Sequence, residues 1–180
     1  MEFNLTTVDM FNMSGPDAIT AQELDDKVVP QEFLQNRAAI YSLQVAMEKV
    51  MKDNDLPPPN DLMPPFELHA GGMYLRMIKI PKGAKIVGVR HNRDKFDIMV
   101  SGDISVWVEE GFHRITGFNV WRTPAGNKRV GIAHEDTTWI TVHRCDTKTE
   151  PLKEIVIDED PAEMLRKTAE KLSALSHQNR

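Results

Sequence analysis

The chain has a single cysteine, Cys145, so no disulfide can form within it, and a reducing compartment is expected. It has no apolar run approaching the length that spans a bilayer, and its first residues lack the charged start and apolar stretch of a secretory signal. A cytoplasmic setting with no membrane partner follows as the expectation. Bases are not gathered into a stripe interleaved with aromatics, so nucleic acid is not an expected partner either. A glycine-rich phosphate loop, a Gly-x-Ser-x-Gly elbow, a His-Glu-x-x-His pair and paired-cysteine zinc spacings are all missing. Most enzyme classes that short motifs reveal are thereby left without support.

What is there begins with size and charge. A chain of 180 residues can bury a real core as one domain with extensions. The net charge of -5 is unevenly spread. Residues 1–65 hold 11 acids and 4 bases, residues 66–150 hold 10 acids and 13 bases, and residues 151–180 hold 6 acids and 5 bases. An acidic arm and a mildly basic middle attract each other, within a chain or between chains.

Residues 1–29 read as that acidic arm, with a turn at Ser14-Gly15-Pro16-Asp17 and a short helix over Ala18 to Lys27. Residues 30–55 read as an amphipathic helix. Pro30 suits its start, where a missing N–H costs nothing. Phe33, Leu34, Ile40, Tyr41, Leu43, Val45, Met47, Val50 and Met51 give a broad apolar face at helical spacing. That face covers either the β-rich middle of the same chain or a partner helix in a dimer. Residues 56–65 carry five prolines and read as a stiff extended linker.

From Phe66 the hydrophobic period changes to two. Strands are expected over Met73 to Ile80, Lys85 to His91, Asp97 to Val100, Ile104 to Glu109, Phe112 to Thr116, Phe118 to Arg122, Arg129 to Ala133 and Thr137 to Arg144. Short strands at regular spacing predict an antiparallel barrel or two-sheet roll over residues 66–150, not βαβ units. Trp107, Trp121 and Trp139 all fall in this region, and tryptophan in a small sandwich is usually core. Asp160-Pro161-Ala162-Glu163 then combines an acidic N-cap with proline in the first turn. It predicts a C-terminal helix over residues 158–177, fraying from Ser176.

The segment from Gly83 through His91 to Gly102 resembles the first motif of the cupin family. That resemblance implies a mainly β fold, a double-stranded β-helix or jelly roll, with an N-terminal and a C-terminal helix added. The segment Pro124-Ala125-Gly126-Asn127-Lys128-Arg129 followed by Gly131 to Thr137 is similar to small cupin-like proteins of tailed bacteriophages. The function of those relatives is largely unassigned. The implied location is the host cytoplasm or a virion.

Metal-binding cupins place two histidines one residue apart in the first motif, then an acid, then a third histidine after the second turn. Alternate residues of a strand share a face, which explains the one-residue gap. By the resemblance, Val89 stands where the first histidine belongs, His91 matches the second, Asp94 and Asp97 fall off the spacing of the acid, and Arg129 replaces the third. One ligand of four does not hold a divalent metal tightly, so no cofactor is expected. The alternative is a metal-dependent isomerase or oxygenase whose iron, manganese or zinc sits on His91, His134 and His143.

Arg90, Arg93, Lys95, Arg122, Lys128 and Arg129 cluster in the two motif regions and read singly as exposed charges. Arg129 is the exception, because the resemblance turns it inward. Arginine holds a carboxylate or phosphate in a forked geometry, and a buried one needs a partner. His91, Lys95, Arg129 and His143 are therefore the candidate residues for a small anionic ligand. Cys145 reads as a structural thiol. The expected function is a non-enzymatic binding or assembly module that self-associates, alone or with other virion proteins.

Overall fold

A computed structural model of the chain describes residues 20, 23, 28–147, 149 and 151–178. The expected arm, including its turn and short helix, lies almost wholly outside them. Helix α1 spans Gln31–Asp53, entered from Pro30. Helix α2, Pro59–Leu62, replaces the expected extended linker. Pro59 has its φ pre-set for a first helical position. The N–H groups of Asp61 and Leu62 then find the carbonyl of Pro58, and Met63 finds that of Pro59.

Nine strands follow: β1 Phe66–Ala70, β2 Met73–Ile80, β3 Lys85–Gly88, β4 Lys95–Ser101, β5 Asp103–Val108, β6 Gly111–Thr116, β7 Asn119–Thr123, β8 Arg129–Ala133 and β9 Thr137–Arg144. They form two antiparallel sheets, ordered β1-β2-β9-β4-β7 and β3-β8-β5-β6. Strand β1 has no buried residue. It is returned onto β2 by Gly71-Gly72, both at positive φ, the requirement of a two-residue hairpin turn.

The core between the sheets is built on Ile80, Met99, Ile104, Val106, Val108, Ala133 and Trp139. Trp107 is not among them. The alternation of β5 sends Val106 and Val108 inward and leaves Trp107 38% exposed against Phe112. Gly102, at φ +117°, allows β4 to turn into β5 directly over β9. A Cβ there would lie 2.3 Å from Thr137 Oγ1.

Strand β3 stops at Gly88 rather than His91. The next residues bond to the C-terminal segment instead. Asn92 N–H donates to Ile155 O at 3.0 Å, Ile157 N–H donates to Arg90 O at 3.0 Å, and His91 bridges Val156. Helix α3, Pro151–Ile155, which the hydrophobic pattern does not announce, presents that segment. Helix α4, Pro161–Gln178, runs past Ser176, where fraying was expected, with the Ser176 hydroxyl donating to Leu172 O. Asp160 caps it through the N–H groups of Ala162 and Glu163.

Within the chain, α1 is covered mainly by another helix rather than by the sheets. Most of its contacts are to α4. Its first half reaches the second sheet, where Arg37 forks onto Glu109 with Nε–Oε1 at 2.7 Å and Nη2–Oε2 at 3.0 Å. Among the described residues no helix is long and apolar enough to cross a membrane.

Candidate functional site

Lys95 and Asp97 alternate on β4 and so share its inner face. Thr123 of β7 pairs with Lys95, and Trp121 with Asp97. Arg129 opens β8 in the opposite sheet, paired with Gly88. The missing side chain at Gly88 gives Arg129 room, since a Cβ there would sit 3.0 Å from Arg129 Cγ. From across the roll, Arg129 reaches Asp97 with both arms, Nη1–Oδ2 at 2.6 Å and Nη2–Oδ1 at 3.0 Å.

Three more donors converge on the same carboxylate. Lys95 Nζ lies 3.1 Å from Oδ1, the indole N–H of Trp139 donates to Oδ1 at 2.9 Å, and the Thr123 hydroxyl donates to Oδ2. The Arg129 guanidinium also lies 4.9 Å from the Trp139 ring centre. Burial alone would raise the Asp97 pKa, but Arg129, Lys95 and these bonds hold it far below the usual carboxylate range. Lys95 is pushed down to about 7 by burial and by Arg129, against the pull of Asp97. With Lys95 protonated, two cations face one anion, and the centre carries an excess positive charge.

His143 lies on the inner face of β9 and His91 follows β3. Their ring centres are 4.5 Å apart. His143 is 1% exposed, and its Nδ1 has no hydrogen-bond partner. Burial first, then the charge of Lys95, lowers both imidazoles, His143 to about 3. Both are neutral at ordinary pH.

Beside this centre lies a cavity of about 340 Å³. Val106, Val108, Ile115, Trp121 and Trp139 supply its apolar walls. Arg129, Thr123, Asn127 and His113 supply its polar groups. His113 Nε2 is buried without a partner.

The expected residues are thus partly assembled. His91, Lys95, Arg129 and His143 gather around Asp97, but of the four only Arg129 lines the cavity. His134 does not join them. It sits at the turn before β9, at the opposite end of that strand from His143, and its Nε2 lies 2.7 Å from Ser105 Oγ. Asp94 serves the turn after β7 instead, accepting from Arg122 and from Ala125 N–H. Asp97, off the spacing of a metal-ligating acid, is placed at this centre by its alternation with Lys95 on β4. Nothing in the sequence singles out His113.

Arg90 and Lys128 also depart from expectation. They are 0% and 1% exposed, not surface charges. The segment before α4 folds over them, and Glu159 accepts from Arg90 Nη1 at 3.3 Å, Lys128 Nζ at 2.8 Å and the Tyr41 hydroxyl at 2.8 Å.

A divalent metal, which the resemblance to cupins brings into question, does not fit these side chains. Asp97, the carboxylate at this centre, is saturated by five hydrogen bonds. Two cations, Lys95 and Arg129, stand beside it and repel a third. Val89 points outward at 48% exposure. Among the described residues no three His, Cys, Asp or Glu side chains converge as a metal site would require.

No protein-family model matches the chain, and no curated protein does. Solved structures give a distant likeness. A conserved protein of unknown function from Streptococcus pyogenes shares 17% identity at a TM-score of 0.39, over 54% of this chain and 76% of that one. A cupin-2 domain protein from Shewanella frigidimarina shares 11% at 0.38, over 44% and 78%. A cupin superfamily protein from Desulfitobacterium hafniense shares 8% at 0.41, over 57% and 84%. Values this low assign neither an activity nor a substrate.

Proposed function

We propose that this chain is a non-enzymatic, cupin-like binding module of phage type, whose cup holds a small ligand with an apolar or aromatic body and one anionic group. The phage attribution rests on the resemblance of the segment from Pro124 to Thr137. The observation that carries the ligand reading is the cavity itself. Its volume of about 340 Å³ suits a small molecule. Two tryptophans form its walls, Arg129 brings positive charge to its edge, and His113 Nε2 waits there without a partner. Arg129 spends its fork on Asp97, so it attracts an anion by charge rather than by a free bidentate grip. Asp97, saturated and held ionised, has no proton to give and no lone pair free for a metal, which is why no catalytic role is assigned.

Isothermal titration of the untagged chain with benzoate, acetate and inorganic phosphate tests this. Benzoate is expected to bind, more weakly at high salt. Trp121→Ala and Arg129→Lys should each reduce affinity by about tenfold or more, ~1.4 kcal/mol. No heat from any of the three at millimolar concentration overturns the ligand reading. Tight uptake of iron, manganese or zinc favours the metal-dependent enzyme instead.

A further inference from the structure

The five-stranded sheet has a second face, turned away from the cup. Its register can be followed across every strand. Phe66 pairs with Met77 and Leu68 with Leu75. Met77 pairs with Ile140 and Leu75 with Val142. Val142 pairs with Phe96 and Ile140 with Ile98, and Ile98 pairs with Val120. Paired residues of adjacent strands lie on the same face. The cup-side residues Tyr74, Asp97, Trp139 and His143 alternate with these and point the other way. An outer sheet face is ordinarily polar when it meets water. This one is apolar from edge to edge.

It is also open. Phe66, Leu68, Met73, Phe96 and Val120 are 52%, 53%, 41%, 54% and 40% exposed. Leu75, Met77, Ile98, Ile140 and Val142 are half-buried between them. Together they present roughly 600 Å² of apolar surface, at the upper end of what a monomer leaves open.

We infer that this face is where two copies of the chain meet, sheet against sheet. Three features favour a second copy. The first is area. Two such faces together bury on the order of 1,200 Å², enough for a specific interface. The second is charge. Arg122, beside Phe96, and Arg144, beside Met73, stand on the same face and already pair with Asp94 and Asp146, while Lys79 lies at the end of β2 beyond Met77. Two copies therefore meet with two of the three cations on that face already paired, despite a net charge of -5 on each. The third is shape. Two equal sheets of the same twist pack aligned, and a two-fold axis along the interface sets β9, the central strand, upon its counterpart. The face lies on the side of the sheet away from the cup, so this inference stands apart from the ligand reading.

Sedimentation of the full-length chain from low to high micromolar concentration decides it. The expected species has twice the 20.5 kDa chain mass. Leu68→Glu and Phe96→Glu alter side chains more than half exposed in the single chain, so folding should persist by circular dichroism while the dimer dissociates at least about a hundredfold more readily. Val50→Glu on the exposed side of α1, 56% exposed, should leave the dimer intact. A wild-type monomer at every concentration overturns the inference. So does a dimer broken by Val50→Glu and untouched by the sheet variants. Should the sheet variants fail to fold, hydroxyl-radical labelling of wild type serves instead. Phe66, Met73 and Phe96 should label less at high concentration than at low, and equal labelling overturns the inference.

Discussion

Asp97 is fully buried and accepts five hydrogen bonds from four side chains, two of which are cations. Removing Arg129 strips two hydrogen bonds from Asp97 while that carboxylate stays desolvated. Arg129→Ala should therefore destabilise the fold by about 3–5 kcal/mol, measured by urea denaturation. A loss below about 1 kcal/mol would mean water replaces the guanidinium without cost. The neighbouring imidazoles set a pH dependence. Burial and Lys95 lower His143 to about 3 and lower His91 well below its ordinary value. The unfolded chain thus binds more protons than the folded one below about pH 6.5. Stability falls as pH drops from that point toward 3, by up to ~1.4 kcal/mol per unit for each histidine. Asp97, depressed still further, adds acid lability in the carboxylate range. His143→Phe should flatten the fall between pH 6.5 and 5, where carboxylates contribute little. An unchanged slope there would contradict the assignment.

Between elements, the same logic separates buried ion pairs from surface ones. Glu159 binds Tyr41 on α1, Arg90 after β3 and Lys128 before β8, and so clasps the helical layer to the roll. Glu159→Ala removes the carboxylate facing two cations that are 0% and 1% exposed. About 3–5 kcal/mol should be lost. Lys49→Ala breaks an exposed pair within α1, with side chains 72% and 54% exposed, and should cost no more than about 0.5 kcal/mol. Thermal melts of both variants check the contrast; equal losses would refute it. Gly102→Ala forces a side chain to φ +117° and onto Thr137, and should cost more than about 1 kcal/mol by the same assay.

For the whole molecule, the chain's periodicities carry the architecture further than the site. The shift from a 3.6 to a 2 period at the proline run separates α1 from the sheets, and eight strands follow from alternation and turn residues. Two elements that the pattern misses are short, five residues each. β1 has no buried residue, and α3 is a single turn held by contacts to residues 90–92. The site divides the same way. Arg129 facing inward was legible from the resemblance to the cupin motif. Its partner was not, because Asp97 is reached from the opposite sheet, and spacing along one strand says nothing about distance across the roll. Arg90 and Lys128 looked like surface charges for a related reason: the residues that bury them come about 30 and 70 positions later in the chain.

The claim on which the rest depends is that a cationic network stands where a metal centre might have been. Elemental analysis of the untagged chain, after incubation with excess iron(II), manganese(II) or zinc and desalting, tests it directly. The account predicts far less than one equivalent of any metal, with no difference between wild type and His91→Ala. Close to one equivalent per chain, lost in His91→Ala, would contradict it.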